Sequence, residues 1–204
     1  MDLKRLEIAL KKRWNYPYFW WRKQNNLEDS QTKFIYDIRT FRELEDAVEP
    51  LNPKLKNYAM NRWYNFWSAK GIEYIFSTFP NVKTSMNKYD KNVDFTIDGI
   101  EFDHKSTVFP KQYWKNYKET YENKRELIKW LYENQSQEGR KHYKNRLFIC
   151  FYDKNWWEHW KIKAEISIIQ KEIYDYIKDF SVNKLIKLNF WDWEIFSDII
   201  WVTK

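Results

Sequence analysis

The chain has 204 residues, 43% hydrophobic and 21% aromatic, enough for one domain with a substantial core. Lys and Arg number 36 against 29 Asp and Glu, a formal charge of +7 that favours anionic, phosphate-rich partners. One cysteine excludes an intramolecular disulfide, three His with that Cys cannot build an ordinary structural zinc site, and no run of about 18 apolar residues offers a membrane span.

Residues 2–13 read as a short amphipathic helix with Leu3, Leu6 and Leu10 on one side. The next stretch, RWNYPYFWWRK, is aromatic and basic and is broken by Pro17; it suits a nucleic-acid contact or a packed aromatic loop. Thr40 with Glu43 is a capping-box signal ahead of a helix that Pro50 and Pro53 end. A longer helix is predicted from about Lys54 to Phe79, with Tyr58, Trp63, Phe66, Trp67 and Tyr74 as its buried stripe. Residues 82–105 then alternate as strands, and a polar, lysine-rich helix is predicted from about Lys111 to Glu138. NRLFICFYD (145–153) reads as a strand buried on both faces, with Cys150 inside it. Ile162, Ile166, Ile169, Ile173, Ile177 and Phe180 recur at helical spacing, and LIKLNF and DIIWV in the tail are both candidate edge strands. The expected fold class is α/β, a mixed central sheet flanked by helices. It forms a single domain over 1–204, with an N-terminal helical and aromatic extension (1–53) before the core (54–204). The lone cysteine and the absence of a signal-peptide pattern in MDLKRLEIALKKRW lead to the expectation of a reducing, cytoplasmic setting.

The segment NVDFTIDGIEFDHK carries the chemistry. Asp98-Gly99 between alternating apolar residues is a strong two-residue hairpin signal, because a type I′ turn needs φ > 0 at both positions. The register that follows pairs Ile97 with Ile100, Thr96 with Glu101, Phe95 with Phe102, Asp94 with Asp103 and Asn92 with Lys105. Val93, Phe95, Ile97, Ile100 and Phe102 then share an apolar face, and Asp94, Thr96, Glu101, Asp103 and Lys105 share the other. Two carboxylates opposed across a strand pair repel, and a divalent cation relieves the conflict. Two carboxylates with a backbone carbonyl are hard oxygen donors suited to Mg²⁺ or Mn²⁺. The bland alternative is a solvated hairpin face on which Lys105 screens both Asp.

Asp94, followed nine positions on by Asp103-His104-Lys105, resembles the PD-(D/E)xK motif of the restriction-endonuclease-like nuclease superfamily. The resemblance covers about residues 59–153 and includes the order helix, hairpin, helix, strand. Val93 stands where the motif has Pro, and Asp103 is the less frequent acidic choice. What it implies is a Mg²⁺- or Mn²⁺-dependent nuclease of restriction, defence, repair or mobile-element type, cutting DNA rather than RNA. Many related folds act as homodimers. Asp94 and Asp103 would bind the metal with the His104 carbonyl, Lys105 would assist the nucleophile, and Glu73 on the preceding helix would complete the site. Asp90 competes with Asp94 but precedes the hairpin register. Ser106, Thr107, Gln112, Lys115, Lys161 and Lys163 are the candidate nucleic-acid contacts, with Tyr113 and Lys118 beside Gln112 and Lys115; a solvated face is the plain alternative for these. Two further functions stay open: a nucleic-acid-binding module with a degenerate nuclease core, and a protein-interaction component that uses its aromatic surface.

Overall fold

Side chains that replace missing helical partners set several helix starts. Asp2 accepts the Arg5 amide at 3.0 Å ahead of α1 (Leu3–Lys11), and Thr40 and Glu43 form the predicted reciprocal box ahead of α3 (Phe41–Val48). Between them lies α2 (Asn26–Gln31), flanked by single 3-10 turns at Lys12–Asn15 and Lys33–Tyr36. Pro53 opens α4 (Pro53–Ser77) as its first residue, where the missing N–H removes no helical bond. This computed structural model describes residues 1–19, 26–85, 93–134, 143–190 and 193–204, without the side chain of Trp156. The chain divides into two units, Met1–Ile72 with Lys163–Ser167 and Glu73–Ile162 with Ile168–Lys204. The division falls within α4.

In the first unit, α4 is a buried girdle. Every residue from Tyr58 to Tyr64 is buried, whereas Phe66 and Trp67 of the predicted stripe are only half-buried. The helix is engaged from several sides: Trp63 and Trp67 both donate to the Ile38 carbonyl (2.9 and 2.7 Å), and Arg62 donates to Asp29 O at 2.8 Å. Arg13 opens the aromatic, basic stretch and is fully buried. Its guanidinium donates to the carbonyls of Tyr16 and Pro17 and to Asn57 and Asn61. The arginine thus pins the start of that stretch, in which Asn15, Pro17 and Phe19 are exposed; residues 20–25 lie outside the described residues.

The second unit is built on a six-stranded mixed sheet, ordered β1-β2-β3-β4-β6-β5. β1 (Val82–Thr84), β2 (Phe95–Ile97) and β3 (Ile100–Val108) form an antiparallel meander. β4 (Arg146–Tyr152) lies parallel to β3, β6 (Trp193–Thr203) parallel to β4, and β5 (Ile186–Phe190) antiparallel to β6. Of the two candidate edge strands, only β5 is an edge; β6 is interior, which explains its long buried run. The predicted helix from Lys111 starts later and is broken. α5 (Tyr117–Glu122) begins where Asn116 accepts the Glu119 amide, and non-helical backbone at Asn123 (φ −135°, ψ 78°) separates it from α6 (Lys124–Asn134). Residues 135–138 of that prediction lie outside the described residues. The isoleucine series also splits: Ile162 sits in a 3-10 segment (Trp156–Ala164) and α7 spans Ile166–Lys178.

One sheet face packs Phe148, Cys150 and Ile199 against Leu127, Leu131 and Tyr132 of α6. On the other, Phe76 stacks on Phe95, Phe180 meets Phe102 edge-on, and the Tyr176 hydroxyl of α7 donates to Asp198 at 3.2 Å. With both faces covered, β4 is buried along nearly its whole length, as its apolar run predicts. Burial pushes the Cys150 thiol far up, so it is an inert core residue. Among the described residues, no helix is long and apolar enough to cross a membrane.

The hairpin turn forms as predicted, with φ of 48° at Asp98 and 84° at Gly99, and the three pairs nearest the turn take the predicted register. Gly99→Val would force a β-branched residue into left-handed backbone. Its expected effect is a loss of about 1–2 kcal/mol in urea unfolding; an unchanged midpoint would show that the turn adds nothing.

Candidate active site

The hairpin pairs end at Phe95↔Phe102, and the next residue departs from the predicted register. Asp94 sits in a bend, and its N–H donates to the Phe102 carbonyl at 2.9 Å in place of a regular pairing with Asp103. Its side chain then supplies the acceptor that the ladder lacks: Asp94 Oδ2 takes the His104 amide at 2.7 Å. One carboxylate oxygen of Asp94 is thus engaged in holding β3. Asp90 and Asn92 lie outside the described residues.

The mixed-charge face is not solvated at Asp103. Phe102, Asp103 and His104 are buried in succession, because β3 continues from the hairpin into the middle of the covered sheet. Asp103 is 8% exposed and faces two cations. Lys105 Nζ donates to Oδ1 at 2.6 Å, and Arg146 Nε lies 3.4 Å from Oδ2. Parallel pairing puts Arg146 beside Asp103 (Asp103↔Arg146), and the guanidinium lies 4.7 Å from the centre of the Tyr132 ring. Nε of Arg146 is buried without hydrogen-bond geometry to any acceptor, so its contact with Asp103 is one of charge. The neighbouring Asn145 locks the strand ends: its carbonyl accepts the Asp103 amide (3.0 Å), its Nδ2 donates to Glu101 O (3.1 Å), and its Oδ1 accepts the Phe196 amide (2.8 Å).

Burial is the largest influence on the Asp103 carboxyl and holds it above the ordinary carboxylate range. Lys105 and Arg146 act against that shift, and the charge of Asp94 adds to it. Two carboxylates are therefore close enough to repel, with one kept from water.

The remaining predicted residues are distributed differently. His104 is buried, and its Nε2 lies 3.0 Å from Ser106 Oγ, so the imidazole is turned to the serine. The Thr107 hydroxyl donates to the Val108 carbonyl (3.0 Å). Glu73 is half-buried on α4; among the described residues, no three His, Cys, Asp or Glu side chains gather as a metal-holding group. Gln112, Tyr113 and Lys115 precede α5 rather than opening it, and Lys118 lies exposed in its first turn. Gln112 is exposed, Tyr113 is buried, and Lys115 pairs with Glu126 at 2.6 Å. Lys161 pairs with Glu158. Lys163 belongs to the first unit, where its ammonium donates to Asn65 Oδ1 at 2.8 Å and burial pushes it down to about 8. Arg146 and Asn145 are the contributors that sequence reasoning missed. Their only signal was a basic and an amide residue at the mouth of an otherwise apolar strand.

Comparisons with protein-family models, curated proteins and solved structures return no match.

Proposed function

We propose that the protein is a nuclease that uses Mg²⁺ or Mn²⁺ to hydrolyse phosphodiester bonds in DNA, on a restriction-endonuclease-like core. The observation that carries this reading is Asp103: a carboxylate buried in mid-sheet, with Asp94 close enough to raise its proton affinity and Lys105 bonded to it. The order of elements adds support. A helix leads into a three-stranded antiparallel meander, then helices, then a strand parallel to the third.

The donor set fits a hard divalent cation. Asp94 and Asp103 would hold it with the His104 carbonyl, and an ion there relieves the repulsion that burial sharpens. When bound, the ion polarises the scissile phosphate and lowers the pKa of its water. Lys105, about 43% exposed, would release Asp103 and turn its ammonium towards the attacking water or the developing phosphorane charge. Arg146 stays behind Asp103 and holds the carboxylate in position.

The test is cleavage of labelled double- and single-stranded DNA with Mg²⁺ or Mn²⁺ by wild type, Asp103→Asn and Lys105→Ala. Wild-type rates in both variants would overturn the site. Because only ionised Asp103 binds metal and its carboxyl is pushed up, Mn²⁺ affinity is expected to fall on acidification already above the usual carboxylate pKa of about 4. Calorimetry across pH checks this; affinity unchanged down to that value would place the ion elsewhere.

A second reading has one observation behind it: each oxygen of Asp103 already faces a cation, as in a degenerate core that binds nucleic acid without metal. An absence of Mn²⁺ binding at neutral pH, with salt-dependent DNA binding retained, would favour it.

A further inference from the structure

The first unit contains an open cleft of about 680 Å³, the size of a small-ligand site. Its lining is mainly apolar: Leu6 and Phe41, both buried, lie there with Ala9 and Trp67. The indole of Trp67 is held in place, because its N–H donates at 2.7 Å to the carbonyl of Ile38, the residue just before Arg39. Arg39 and Arg42 flank the start of α3, and Lys12 follows the end of α1. The backbone carrying the arginines is fixed by Glu43, whose carboxylate accepts the amides of Arg39 and Thr40 at 3.3 and 3.1 Å. Arg5, the fourth cation of the lining, pairs with Asp2 at 3.2 Å. Among the described residues, no carboxylate pairs with Lys12, Arg39 or Arg42.

One unpaired surface cation is ordinary. Three around one apolar concavity define a ligand with an apolar body and an anionic group. A fixed indole favours a flat body that can stack, and two planar guanidinium forks match the oxygens of a phosphate. We propose that this cleft holds one nucleotide of a single-stranded segment of the bound nucleic acid. Its base packs against Leu6, Ala9 and Trp67, and its phosphate sits on Arg39 and Arg42, with Lys12 adding charge. The choice of a nucleotide over other flat anions rests on the nuclease reading above.

The test is an NMR titration of the isotope-labelled full chain with a 5′-nucleoside monophosphate, ribose 5-phosphate, inorganic phosphate and anionic-lipid vesicles. The expected result is shifts at the amides of residues 8–12 and 39–42 and at the Trp67 indole. The nucleotide should saturate them at a concentration about tenfold or more below that needed with ribose 5-phosphate, the worth of one stacked base. Arg39→Glu/Arg42→Glu should abolish them, and Lys129→Glu/Lys178→Glu, an equal charge change at exposed sites elsewhere, should preserve them. Equal responses to the three soluble probes, a response to vesicles alone, or no response would each overturn the proposal. Metal-dependent cleavage with a silent cleft would remove the cleft alone. Nucleotide binding here without any cleavage would remove the nuclease and leave the cleft.

Discussion

Asp103→Asn is expected to lose metal-dependent cleavage by about 100-fold or more while folding as stably as wild type at neutral pH, or more so. The loss follows from removing a metal-binding carboxylate. The stability result follows from the balance at the same atoms, where burial outweighs Lys105 and Arg146 and pushes the carboxyl up. A carboxyl raised by folding favours the fold only while protonated. That contribution is complete below about pH 4 and is lost as pH rises through the raised value. Asparagine never ionises and keeps an oxygen towards Arg146. The advantage of the variant should therefore be absent in acid and grow towards neutral pH. Urea midpoints across that range, read beside cleavage rates, test both halves. A variant less stable than wild type at neutral pH would show that the two cations outweigh burial. Lys105→Ala should lose cleavage similarly with little stability change, because its partly exposed pair with Asp103 is worth about 0–1 kcal/mol.

Replacing the other partner should act in the opposite direction. Arg146→Met keeps most of the side-chain volume over Tyr132 but leaves Asp103 with only the partly exposed Lys105. Stranding Asp103 as a buried carboxylate costs about 3–5 kcal/mol, whereas Asp103→Asn leaves the Arg146 charge facing an amide oxygen and the Tyr132 ring. Asp103→Asn/Arg146→Met should recover most of that loss, since no buried charge is then stranded. The double-mutant cycle in urea, run at one neutral pH, gives the coupling directly. A loss below about 1 kcal/mol for Arg146→Met would mean that water reaches the pair.

Much of this fold is legible as local chemistry. The Asp98-Gly99 turn, the Thr40–Glu43 box and the apolar run through β4 each depend on residues close in sequence, and each forms as predicted. The errors occur where a distant partner decides. DIIWV lies inside the sheet because β5 pairs on its outer side. The buried girdle of α4 was not visible as a stripe, because it includes the polar Asn61 and Arg62, whose burial is tolerated by hydrogen bonds with Arg13 and Asp29.

For the hairpin, the sequence by itself determined the turn, the identity of the faces near it, and the presence of Asp94, Asp103 and Lys105 at one end. Those follow from backbone sterics at an Asp-Gly pair and from the two-residue period of a strand. Only the tertiary structure decided that Asp103 is buried, that Asp94 leaves the ladder to hold the His104 amide, and that Arg146 stands beside Asp103. Parallel pairing joins residues far apart in sequence, and desolvation depends on what covers both faces of the sheet. Neither quantity is a property of a local pattern, and both set the charge balance on which the proposed chemistry depends.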